Sequence, residues 1–212
     1  MAASEPFRFD SSATLTRFTG VSADNLHALL RGIQRASGAS IYYHVFHALF
    51  RRHFTTSEYM NDFAHWAWYT LHERQVAEKL AAVDPTAYVT PHEARQALAR
   101  VLEDQLGHTE FVPRVRDDLR FHFIDAQTFI FSTGIEARDP RDFADKIRQV
   151  PPGAIFYHFV MAPMRLGRRE NDFSAWLHGQ GAEELAKRID ELSPYSGDLY
   201  TLRDRLSELC RT

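Results

Sequence analysis

The chain is short of several things, and each shortage closes off a class of function. Among 212 residues there is one cysteine, Cys210, so no disulfide can form within the chain. No apolar run approaches the ~20 residues that a membrane helix needs. The start, Met1-Ala2-Ala3-Ser4-Glu5-Pro6, has neither a basic flank nor an apolar stretch, so no secretory signal is expected. The net charge is only -3 and the isoelectric point is near 6.4, which leaves no global basic field to attract nucleic acid. Glycine is sparse and scattered, ten residues in all. There is no glycine-rich phosphate loop, and no G-x-S-x-G turn presents a nucleophilic serine. These absences lead to the expectation of a soluble cytoplasmic protein with no membrane and no nucleic-acid partner. What remains is ordinary globular material, 44% hydrophobic and 25% charged, with 11 histidines and 16 phenylalanines.

The sequence repeats itself. Ile41-Tyr42-Tyr43-His44 is followed by Asn61-Asp62-Phe63-Ala64-His65-Trp66. Further on, Ile155-Phe156-Tyr157-His158 is followed by Asn171-Asp172-Phe173-Ser174-Ala175-Trp176. Ile155 stands 114 positions after Ile41, and the same step carries Phe7-Arg8-Phe9 onto Phe121-His122-Phe123 and Thr19-Gly20 onto Thr133-Gly134. Repeats of this kind bear on the whole fold. They divide the chain into a first repeat at 1–106, a connector at 107–120 and a second repeat at 121–212, expected to pack as one globular unit.

Local signals then place the elements. Alternating phenylalanines predict short strand pairs at the start of each repeat, with Gly20 and Gly134 as the turns that end them. Leu26, Leu29, Leu30 and Ile33 form one helical face. Asp139 before Pro140, Thr90-Pro91-His92-Glu93, and an Asn-Asp pair at 61–62 and again at 171–172 are helix starts. The expected fold class is therefore mainly α, or α+β with short strand pairs, built as two tandem helical repeats related by a pseudo-two-fold axis.

The duplicated S-I-Y-Y-H … N-D-F-x-x-W pattern, with its T-G-x-x-A turns, resembles an uncharacterised bacterial family of the domain-of-unknown-function kind. The resemblance spans nearly the whole chain and implies no activity.

The residues that carry chemistry are few. His44 with Asp62, and His158 with Asp172, recur in both repeats. One reading is a buried hydrogen bond that satisfies both polar groups; the other is a working site. His44 and His47, then Asp62 and His65, are each spaced i, i+3, a pattern that offers four ligands to zinc or iron if two helices converge. The second repeat has Met161 and Ala175 where the first has His47 and His65. Arg51 and Arg165 occupy matching loops and suit either an anion rim or surface ion pairs. The aromatic residues around each histidine read equally as core or as an aromatic-lined pocket. Cys210 reads as core.

From these residues we expect a cytoplasmic binding or regulatory accessory protein with no cofactor, whose partner is a protein or small molecule. The alternatives are a zinc- or iron-dependent enzyme using the first-repeat histidines, and a pocket for a small anion or sugar between the repeats.

Overall fold

The computed structural model describes residues 5–46, 59, 61–84, 87–108, 112–194 and 197–211. In chain order the elements are strand β1 (Phe7–Ala23) and helices α1 (Leu26–Arg35), α2 (Gly38–Phe46), α3 (Asp62–Tyr69), α4 (Arg74–Ala81) and α5 (Pro91–Gly107). Strand β2 (Phe121–Ala137) follows, then α6 (Pro140–Lys146) and α7 (Pro152–Ile155). The chain continues from α7 through a π-helical turn (Phe156–Val160) into α8 (Ala162–Leu166), and ends with α9 (Asp172–Gly179), α10 (Glu183–Asp190) and α11 (Leu199–Leu209). The architecture is mainly helical, an α+β fold with one two-stranded sheet among the described residues. No helix among them is long and apolar enough to cross a membrane.

Side chains at the helix starts explain where the helices begin. Asn25, Asn61, Thr90, Asp139, Asn171 and Asp198 each accept a backbone N–H from the first turn of the helix that follows. Thr90 and Glu93 complete a reciprocal capping box with Pro91 at the first helical position. It is Asn61 and Asn171 that cap, which leaves the neighbouring carboxylates of Asp62 and Asp172 free for other partners. Pro163 follows the wide turn at Phe156–Val160 and has no N–H for the Phe159 carbonyl; Met161 there donates to the Phe156 carbonyl, five residues back.

The strands differ from the expectation of short pairs. Each is one continuous element of 17 residues, and the two pair with each other, antiparallel. Gly20 (φ 79°) and Gly134 (φ 72°) adopt left-handed backbone inside the strands without ending them. The preceding threonines explain why. The Thr19 hydroxyl donates to the Phe123 carbonyl at 2.8 Å and accepts the Val21 N–H. In the same way the Thr133 hydroxyl donates to the Phe9 carbonyl and accepts the Ile135 N–H. A side-chain hydroxyl thus bridges each glycine kink, as at a bulge, and pairing resumes beyond it.

Two compact units result. The terminal unit takes Met1–Thr14 and Thr128–Thr212, and the central unit takes Leu15–Gln127. They are cut along different lines from the repeat boundaries at 106 and 121, because each strand begins in one unit and ends in the other. The central unit packs Phe121 and Phe123 of β2 against helices α1, α2 and α3. Phe63 and Phe121 stack there at 5.2 Å, and the Trp66 indole N–H donates to the Leu119 carbonyl at 2.8 Å. The terminal unit packs Phe7 and Phe9 of β1 against Phe143 and Phe173. There the Trp176 indole N–H donates to the Glu5 carbonyl at 2.9 Å.

Candidate functional site

In the central unit, His44 projects from α2 and is 2% exposed. Its Nδ1 lies 2.9 Å from Oδ2 of Asp62 at the start of α3, and its Nε2 lies 2.9 Å from the backbone nitrogen of Ile124 on β2. In the terminal unit, His158 is 5% exposed. Its Nδ1 lies 2.8 Å from Oδ2 of Asp172, and its Nε2 lies 2.8 Å from the backbone nitrogen of Asp10 on β1. A backbone N–H can only donate, so Nε2 must be the unprotonated acceptor. Nδ1 then carries the proton and donates to the carboxylate. Each histidine therefore ties a helical segment, a later helix start and a strand together, with both ring nitrogens engaged.

The rings sit among aromatic side chains. His44 lies 4.8 Å from the Phe121 ring and 5.4 Å from Phe63; His158 lies 4.9 Å from Phe7 and 5.6 Å from Phe173. Most of the predicted aromatic clusters are thus core. Asp172 accepts a second bond, from Nη2 of Arg165 at 2.5 Å, and the Arg165 guanidinium lies 4.7 Å above the Tyr157 ring. Arg168 pairs with Glu170 at 3.4 Å, a surface ion pair of the kind anticipated for this loop. Beside this group lies an open cavity of about 610 Å³ bordered by Glu5, Arg8, Asp10, Tyr157, His158, Arg165, Asp172 and Trp176. Both arginines that border it are already paired, Arg8 with Glu136 at 3.2 Å and Arg165 with Asp172.

Of the other sequence candidates, His65 is exposed on α3, with its ring 4.5 Å from Tyr69. His47 and Arg51 lie outside the described residues, so the four-ligand set of His44, His47, Asp62 and His65 is described only in part. Among the described residues, no group of three or more histidine, cysteine, aspartate or glutamate side chains is placed to hold a metal ion. Cys210 is half-buried, and burial pushes its thiol up to about 11, with Arg188 opposing that weakly. The sequence reading missed the backbone donors of Asp10 and Ile124. They carry no side-chain signature, but they are themselves 114 positions apart, the same step that relates the histidines.

The fold and these two histidine–carboxylate links define a mainly helical α+β protein with a long strand pair. The chain belongs to a family of unknown function, DUF5752, whose model matches residues 4–211. The chain is also similar to the solved structure of OrfY from Thermoproteus tenax, with 29% identity over 99% of this chain and 95% of that one, at a TM-score of 0.86. No curated protein matches it.

Proposed function

We propose that this chain is a non-catalytic binding or regulatory accessory protein. The observation that carries this reading is the occupation of both ring nitrogens of His44 and of His158 by internal partners. A general base needs a free nitrogen within reach of the substrate's proton, and a metal ligand needs a free lone pair. Here Nε2 could serve either purpose only by giving up a strand N–H. The ribbon adds support. Leu15 (65%) and Phe18 (73%) in the central unit, and Ile130 and Phe131 in the terminal unit, are large apolar side chains left in solvent, as on surfaces that meet a partner.

The two repeats, in this reading, descend from one ancestral motif and are related by a pseudo-two-fold axis. The matching bonds at His44–Ile124 and His158–Asp10, and at Thr19–Phe123 and Thr133–Phe9, support that relation. The decisive experiment is a thermal-shift screen of metabolites, followed by mass spectrometry of each stabilising compound after incubation. Recovery of those compounds unchanged is the expected result. Turnover of any of them would overturn the non-catalytic reading.

A further inference from the structure

A second cavity, of about 270 Å³, lies wholly within the central unit, between the start of β2, the end of β1 and helix α1. Arg31 and Arg35 border it, four residues apart on one face of α1. Both are exposed, and neither makes an ion pair or hydrogen bond among the described residues. Two cations at this spacing repel each other slightly, so the helix gains nothing from the pair. Ser40 borders the same cavity; it is fully buried and its hydroxyl has no hydrogen-bond partner among the described residues. An unpaired buried hydroxyl is a cost that folds generally avoid.

The other repeat shows that the fold does not require these groups. At the 114-residue step, Arg31, Arg35 and Ser40 fall on Asp145, Gln149 and Ala154. Among the described residues bordering the cavity, the one acidic side chain, Asp125, is already held by the Ser37 hydroxyl, by Arg17 and by the Ala126 N–H. Unmatched charge in this cavity is therefore positive. Ala28, Ala36 and the Phe123 ring supply an apolar wall.

We infer that this cavity binds a small organic oxyanion, a phosphate or carboxylate compound, with its charged group held by Arg31 and Arg35 and its body against the apolar wall. Guanidinium groups meet both anions through paired charge-assisted hydrogen bonds. The inference deepens the binding reading above by naming a ligand class and a place for it.

The test is isothermal titration of the full chain with inorganic phosphate and, separately, with malonate, against chloride at matched ionic strength. Saturable binding of at least one probe is expected, and the tighter one identifies the anion. The double variant Arg31→Gln/Arg35→Gln should weaken that binding by about tenfold or more, given the strength of hydrogen bonds to charged groups. Both arginines are exposed, so the variant should fold. Arg100→Gln, on α5 and away from the cavity, should leave the affinity unchanged. Absence of binding by both probes, equal affinity in the double variant, or equal weakening by Arg100→Gln would each overturn the inference. In those cases the binding reading still stands or falls on the metabolite screen, whereas turnover in that screen leaves this site in place.

Discussion

The backbone N–H of Asp10 donates to Nε2 of His158 across 148 positions of sequence, and Ile124 makes the same bond to His44. A buried neutral imidazole is fixed in one tautomer from both sides. Replacing either histidine with alanine leaves a strand N–H without its acceptor and takes the imidazole donor from a largely buried carboxylate, which at Asp172 keeps Arg165. Each loss of a buried hydrogen-bond partner costs about 1–3 kcal/mol. His44→Ala and His158→Ala should therefore each lower stability by at least that much in urea denaturation. Nitrogen-15 NMR should show Nδ1 protonated and Nε2 bare in both rings. A protonated Nε2 in the folded protein, or unchanged stability in both variants, contradicts the structural role.

Much of this arrangement is legible in sequence, for identifiable reasons. Helix starts depend on a few adjacent residues, so Asp139-Pro140 and Thr90-Pro91-His92-Glu93 announce themselves. The histidine–aspartate links are visible because they occur twice. The strands are harder to read. A glycine after a strand-like run ordinarily ends the strand, and the threonine hydroxyl bridge lets Thr19-Gly20 and Thr133-Gly134 continue one. Nor does the sequence disclose that Phe121 and Phe123 serve the helices of the first repeat, since chain order alone would assign them to the second. Arg31 and Arg35 look like an ordinary solvated helix face until the cavity beside them is seen.

Gly32 shows how closely β2 packs on α1. A β-carbon added to it would collide with the Phe123 ring, whose side chain is itself 1% exposed. The ring is also packed against His44, Phe63 and Phe121, so overpacking should cost about 1–3 kcal/mol. Gly32→Ala should lower the urea midpoint accordingly. Gly107→Ala, in the last turn of α5 where a β-carbon meets nothing within 4 Å, should be neutral or slightly stabilising. Equal behaviour of the two variants would mean that the Phe123 contact does not limit this packing.

His72 holds a left-handed backbone, φ 58°, two residues before α4. In the terminal unit Gly181 stands two residues before α10 with φ 75°. The left-handed conformation costs a side-chain-bearing residue about 1–2 kcal/mol, and glycine gives back about 0.4–1 kcal/mol through its freer unfolded state. The exposed ring of His72 contributes little packing to lose. His72→Gly should therefore raise the melting temperature slightly. A marked fall would show that the imidazole, which borders a cavity with Trp68, Tyr69 and Arg74, makes a contact worth more than the strain.

Asp125, which borders the cavity beside Arg31 and Arg35, links that region to pH. The Ser37 hydroxyl, 2.8 Å away, is the main group holding its carboxyl below the usual aspartate value, with Arg17 and the Ala126 N–H adding to the effect against partial burial. A carboxyl depressed by folding contributes stability that is present in full above its unfolded value and is lost as the pH falls through its folded value. Ser37→Ala removes the largest of these causes, so the folded value rises toward the unfolded one and that contribution shrinks. The variant also loses the hydroxyl that accepts the Ser40 N–H at the start of α2, a loss that does not depend on pH. Urea midpoints measured from neutral pH downward should show Ser37→Ala less stable throughout. The gap from the unsubstituted protein should be widest at neutral pH and narrow as Asp125 becomes protonated. A gap that stays constant across the acid range would mean that the Ser37 hydroxyl acts on the start of α2 alone and not on the charge of Asp125.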